Sequence, residues 1–263
     1  LEMKDGRYTV PIPWRENDVF MPDIEGRAAG RMKALQERFS KNGEFFEDYK
    51  KGIASFHEKG HAEIVPKDEL KREPGKTFYL NHHAVAHPRK KKLRIVFNAS
   101  ERFRGKSLNS EIMKCPDMLE ALIGIMIRFR QYPVAVTADI EGFFLAVRIP
   151  PEDCDFHRFF WLENDEPDGK LVVMRMLVHL FGSVAAQAAS VAALNRCLED
   201  AMNAGILDEE SLKIAIKSFY SDDFLRSFKT VEEARTIVGK VVQALRNGGF
   251  NLCKIADNVC SND

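Results

Sequence analysis

Apolar residues recur along this chain in two periods, one helical and one that alternates as in a strand. Between Arg27 and Phe39, and again between Glu44 and His57, they interleave with charged residues at helical spacing. This predicts two amphipathic helices separated by Asn42-Gly43. The stretch before them, with Pro11, Pro13 and Pro22, reads as irregular. From Phe78 to Ala86 and from Leu93 to Ala99 the pattern is β-rich, a hairpin closed by a basic turn at Pro88–Lys92. A helix is predicted over Pro116–Arg130, with Met118, Leu122, Ile125, Met126 and Phe129 on one face and Pro133 ending it.

The run Val134–Ile140 then reads as a buried strand that ends in Asp139. Segments Arg158–Leu162 and Leu171–Leu177 form a strand pair around the loop Asn164–Gly169. A small-residue helix follows from Val184 to Asn203. Next comes a tight hairpin at Tyr220–Phe224, flanked by the β-like runs Ile214-Ala215-Ile216 and Phe224-Leu225. Glu232–Arg246 is helical and is closed by Gly248-Gly249, and Phe250–Lys254 is a final strand. Strand, helix, hairpin, helix, strand is the order of an α+β layer of the ferredoxin-like kind, an antiparallel sheet covered by helices. Such a layer brings Asp139 beside Asp222 and Asp223. There is neither an internal repeat nor a low-complexity linker.

At 263 residues and 30.0 kDa the chain suggests one large or two modest domains. No apolar run reaches the ~18–20 residues that span a bilayer. The chain starts at Leu1 with neither a basic start nor an apolar signal core, so it is expected not to be secreted and to be cut from a longer one. Cys115, Cys154, Cys197, Cys253 and Cys260 form no CxxC pair and are odd in number, which points to a reducing, cytoplasmic compartment. The histidines, His82, His83 and His87 among them, lack zinc-site spacing and are read as packing or polar contacts.

Net charge is zero, yet its distribution is uneven. Between Pro88 and Lys106 stand Arg89, Lys90, Lys91, Lys92, Arg94, Arg102, Arg104 and Lys106 against one acid, Glu101. Such a stripe either holds phosphates or is a solvated charged loop. The neighbouring acids Asp222 and Asp223 have two readings of their own, a local turn or a seat for metal. Acidic pairs are at home in turns. A third carboxylate at the end of a buried strand, Asp139, needs a partner, however, and a hard divalent cation that prefers oxygen ligands is one.

The combination resembles the reverse transcriptases of long-terminal-repeat retroelements, most closely the BEL/Pao group of retrotransposons. The resemblance runs over nearly the whole chain. It is carried, in order, by Tyr79-Leu80-Asn81-His82-His83-Ala84-Val85, Lys92–Ser100, Ser107-Leu108-Asn109, Thr137-Ala138-Asp139-Ile140-Glu141, Phe181-Gly182, Tyr220-Ser221-Asp222-Asp223 and Gly248–Leu252. The lead-in segments Pro11–Trp14 and Lys59–Glu63 are similar to that group as well.

The resemblance implies a fingers-and-palm polymerase. Residues 1–70 would be a partly helical N-terminal extension, 71–114 and 148–184 the fingers, and 115–147 and 185–263 the ferredoxin-like palm, with the thumb absent. It also implies RNA- and DNA-directed DNA synthesis. Asp139, Asp222 and Asp223, with the Ile140 carbonyl, would hold two magnesium ions, with manganese as a substitute. Arg94 matches the arginine that clamps the triphosphate, assisted by Lys92, and Phe144 matches the steric gate against a ribose 2′-hydroxyl. Phe181 and Gly182 would shape the nucleotide pocket, the glycine by its lack of bulk, and Lys254 would neutralise or protonate pyrophosphate. Tyr220, Arg89, Lys90 and Lys91 would meet nucleic acid. The implied partners are a primed RNA or DNA template, deoxynucleoside triphosphates and the rest of a polyprotein (thumb, RNase H, integrase), in an intracellular particle with no membrane.

The residues alone read Phe144 as a core aromatic and Lys254 as an exposed strand-end lysine, and they fit Lys90–Lys92 equally to a solvated turn and to phosphate contacts. Asn98, Leu145-Ala146 and Gln187 depart from the group's usual residues. They motivate an alternative: a decayed remnant that keeps the fold only to bind nucleic acid or to serve as structure. A metal-dependent nuclease or phosphatase would share the carboxylates without the arginine or the glycine-led helix.

Overall fold

The computed structural model describes residues 1–86 and 93–259. The basic turn with Arg89, Lys90, Lys91 and Lys92, together with His87 and Cys260, lies outside the described residues. The first half of the chain contains β1 (Glu2–Lys4), β2 (Arg7–Thr9), α1 (Glu25–Lys41), α2 (Gly43–Glu58), β3 (Ala62–Ile64), β4 (His82–Ala86), β5 (Leu93–Phe97), α3 (Leu108–Glu111) and α4 (Leu122–Phe129). The second half contains β6 (Val134–Ile140), α5 (Pro151–Cys154), β7 (Arg158–Leu162), β8 (Leu171–Met176), α6 (Ala186–Asn203), α7 (Glu209–Ile216), β9 (Phe219–Tyr220), β10 (Asp223–Phe228), α8 (Val231–Asn247) and β11 (Leu252–Asp257). Two compact units are formed, one from residues 1–10, 116–148 and 187–263, the other from 11–115 and 149–186.

In the first unit four antiparallel strands lie in the order β11-β6-β10-β9. Strand β6 alternates: Val134, Val136, Ala138 and Ile140 are buried, while Ala135, Thr137 and Asp139 are not. The buried set joins Val191, Leu194 and Leu198 of α6 and Val238, Val241 and Leu245 of α8 in one core. That core fixes the sheet's register, because a one-residue slip would turn every β6 side chain to the wrong face. Helix α8 starts at Thr230, whose hydroxyl accepts from the Glu233 N–H. It ends at Gly248, and the left-handed residue that follows, Gly249, has φ +79°. A Cβ there would lie 2.6 Å from the Gly6 carbonyl oxygen, so both backbone sign and space demand glycine.

Two elements of this unit differ from the periodicity reading. Ile214-Ala215-Ile216 is the end of helix α7, not a strand. Asp208 caps that helix by accepting from the Ser211 N–H at 2.7 Å, and Glu209 and Glu210 favour its N-terminal dipole. The helix predicted from Pro116 begins only at Leu122, since the Asp117 side chain accepts from the Leu119 N–H at 3.0 Å, a local turn that competes with helix.

The second unit holds the sheet β3-β8-β7 and the separate hairpin β4-β5. Phe39 of α1, Phe46 and Tyr49 of α2 and Trp161 of β7 pack ring against ring, Tyr49 stacking on Trp161 at 5.6 Å. Beside them Arg158, fully buried, donates to Asp155 and to the carbonyls of Leu70 and Glu69 at 2.9, 2.8 and 2.7 Å. Arg175 donates to Asp155 and Glu69 as well. Such a charge is tolerable in a core only when fully bonded in this way.

Candidate functional site

Asp139 occupies the penultimate position of β6, on the face turned away from the helices. Antiparallel pairing sets Asp223 of β10 directly opposite it on one side and Cys253 of β11 opposite it on the other. The next residue, Ile140, donates its N–H to the Asp222 carbonyl at 2.8 Å, which ties the acidic turn to the strand end. Tyr220 pairs with Asp223, leaving Ser221 and Asp222 as a two-residue hairpin loop. Ser221 adopts a left-handed φ of 58°, and its hydroxyl donates to Gln187 Oε1 of α6 at 3.3 Å. The Gln187 Nε2 is buried without a partner.

Asp139, Ile140, Asp222 and Asp223 therefore meet at one end of one sheet. Partial burial raises the Asp223 carboxyl above the usual range, Asp222 and Asp139 raise it further by repulsion, and Lys254 opposes them. The Lys254 ammonium is ion-paired with Asp139 Oδ2. The Cys253 thiol lies 3.8 Å from the same oxygen and is pushed up, first by burial and then by Asp139.

Among the described residues no group of three or more His, Cys, Asp or Glu side chains is arranged to hold a metal ion. The donor chemistry nevertheless fits a hard divalent cation: carboxylate oxygens whose mutual repulsion a cation would relieve. Phe144 lies beyond Asp139 in a short turn, Phe143–Ala146, half-buried against the same core with its ring 5.6 Å from that of Phe143.

The second unit carries the remaining residues singled out from the sequence. Arg94 is exposed on β5 opposite Val85. Phe181 is 67% exposed. Gly182 has φ +95°, and a Cβ there would sit 3.6 Å from the Phe97 carbonyl oxygen, ordinary contact. Glycine is therefore required at this position for its backbone sign, and lack of bulk is not what its own unit demands.

Asn109 holds that loop: its amide donates to the Gly182 carbonyl at 2.8 Å and its oxygen accepts from the Val184 N–H at 3.0 Å. The motif Ser107-Leu108-Asn109 was visible in the sequence, but this task was not.

Neither a family model nor a curated protein matches the sequence. Solved structures do. A foamy viral protease-reverse transcriptase in complex with double-stranded DNA superposes with a TM-score of 0.56 at 17% identity, covering 95% of this chain and 34% of that one. The chain has a retroviral-like reverse-transcriptase fold. A foamy viral protease-reverse transcriptase bound to an RNA/DNA hybrid superposes at 0.59 and 17% identity over 95% of this chain. A mutant of the prototype foamy virus enzyme gives 0.59 at 16% identity over 94%. The chain spans about a third or less of the length of these proteins. No helix among the described residues is long and apolar enough to cross a membrane.

Proposed function

We propose that this chain is the polymerase segment of a retrotransposon polyprotein of BEL/Pao type, joining deoxynucleotides to a primer on an RNA or DNA template. The observation that carries the reading is the opposition of Asp139 and Asp223 at one sheet end, with Asp222 in the adjoining turn and the Asp223 carboxyl raised by burial and then by the other two. Reverse-transcriptase fold and clustered carboxylates support the same chemistry from independent directions.

Asp139, Asp222, Asp223 and the Ile140 carbonyl would hold magnesium. Magnesium, when bound, lowers the pKa of the primer hydroxyl and neutralises charge on the phosphates. The chain's own residues position the reactants. Phe144 presents a half-buried ring that would crowd a 2′-hydroxyl, and the rigid β6–β10 pairing holds the carboxylates in register. In the other unit Arg94 offers an exposed planar guanidinium suited to a triphosphate. Phe181 and Gly182 are assigned to the nucleotide, and Tyr220, Arg89, Lys90, Lys91 and Lys92 to phosphate contacts, on the resemblance alone. Thumb, RNase H and integrase segments would be supplied by the same polyprotein.

A second reading, a remnant that only binds nucleic acid, draws on the unpartnered Gln187 Nε2 beneath the Ser221 turn. Primer extension by this chain and by its longer forms separates the two. Magnesium-dependent extension lost in Asp222→Ala supports the polymerase. Extension that is absent, or unchanged in that variant, contradicts it.

A further inference from the structure

We infer that Lys254 is the resident counter-ion of the carboxylate cluster, holding Asp139 until a divalent cation displaces it, so that it sets the threshold for cation binding. The inference rests on the reading of Asp139 as a cation ligand.

Strand geometry shows how unusual the contact is. Successive side chains of a strand face opposite sides. Leu252 pairs with Ile140 and is buried with it, and Cys253 pairs with Asp139 on the other face. Regular alternation would send Lys254 to the core face at the level of Ala138, where an ammonium is heavily penalised.

The strand avoids this with a bulge. Pairing resumes one residue late, at Ala256 with Thr137, and Lys254 lies inside the irregularity with a left-handed φ of 52°. Left-handed backbone is unfavourable for a lysine, so the sheet and not the residue's own preference imposes it. The entry to the strand is clamped just upstream. Asn251 donates from Nδ2 to Glu141 at 2.9 Å, and its carbonyl accepts from the Glu141 N–H at 2.9 Å. The result is that the Lys254 ammonium reaches Asp139 Oδ2 while its side chain stays 66% exposed.

Asp139 Oδ2 thus carries an ammonium where the proposed function needs a cation, and the two compete for one oxygen. The competition is mild. An ammonium on a flexible stem in an exposed pair is held by a small free energy, which limits the change in cation affinity to about five-fold. In exchange the fold keeps one of three neighbouring carboxylates neutralised before any cation arrives.

Manganese titration of the whole chain, read by electron paramagnetic resonance of the free ion, tests this without recourse to activity. Lys254→Gln and Lys254→Gly both remove the ammonium, and glycine also suits the left-handed backbone. Each is expected to tighten manganese binding about five-fold, and in metal-free melts Lys254→Gln should fall below the native chain and gain more from manganese. Lys240→Gln, which removes a half-buried lysine paired with Asp208 in the same unit, should leave the Kd unchanged. Unchanged or weaker binding in both Lys254 variants overturns the inference while binding that still requires Asp139 leaves the site reading intact. Manganese binding that survives Asp139→Asn overturns both.

Discussion

Asp139 and Asp223 are direct cross-strand partners at the end of β6 and β10, two like charges facing each other where sheet pairing would normally place complementary side chains. Like charges in that position oppose folding unless something of opposite sign joins them. With Asp223 raised above its usual range, the folded state binds its proton more tightly than the unfolded state does. The ionised Asp223, penalised first by burial and then by its acidic neighbours, therefore costs stability at neutral pH, and the cost is lost as pH falls through the folded value to below the unfolded one. Asp223→Asn is expected to leave the metal-free chain as stable as before or slightly more so, by thermal melting. The same variant should lower nucleotide incorporation by at least ~100-fold.

Asn109 is the prop of the Gly182 loop. Asn109→Ala removes a donor to the Gly182 carbonyl and an acceptor for the Val184 N–H. The expected loss is about 1 kcal/mol by chemical denaturation. Hydrogen exchange at the Val184 amide should accelerate, because its acceptor is gone.

Arg158 is buried at the centre of the second unit with every contact described above satisfied. Arg158→Met would strand the carbonyls of Glu69 and Leu70 and leave the buried Asp155 carboxylate to Arg72 and Arg175 alone. A loss of about 3 kcal/mol in urea unfolding is expected. Arg158→Lys should recover little of it, since an ammonium cannot reproduce the planar fork of donors.

His82 makes the second unit sensitive to acid. Its Nε2–H donates to the Phe160 carbonyl at 2.9 Å, so Nδ1 accepts from the Tyr49 hydroxyl. Burial lowers its pKa from 6.5 to about 4. Between those values the unfolded chain binds a proton that the folded chain refuses, so stability is full above pH 6.5 and falls as pH drops toward 4. A decline of the order of 2 kcal/mol across that window is expected, by denaturant titration at stepped pH. His82→Gln should flatten it.

Periodicity made most of this fold legible: α1, α2, α8 and the alternation of β6 all follow from the spacing of apolar residues. The opposition of Asp139 to the acidic turn was legible too, because strand–helix–hairpin order leaves few ways to pair three strands. Local side-chain bonds were harder to read. Asp208 makes a helix of a stretch whose Ile-Ala-Ile looks like strand, and Asp117 denies a helix to a stretch with helical spacing. The bulge at Lys254 has no sequence signal at all, as neither Cys253 nor Ile255 favours one, and it is the pairing with β6 that creates it. Nor could apolar spacing announce the Arg158–Asp155–Arg175 network, which also draws on Glu69 and Leu70 from a distant part of the sequence.

Templated synthesis is tested by incorporation of a single deoxynucleotide onto a primer, with magnesium, across templates that differ only in the next base. The native protein is expected to add the nucleotide complementary to that base, on RNA and DNA templates alike, and Asp139→Asn, Asp222→Asn and Asp223→Asn are each expected to lose at least ~100-fold. Addition that ignores the template base, or that persists in those variants, would contradict the proposed function.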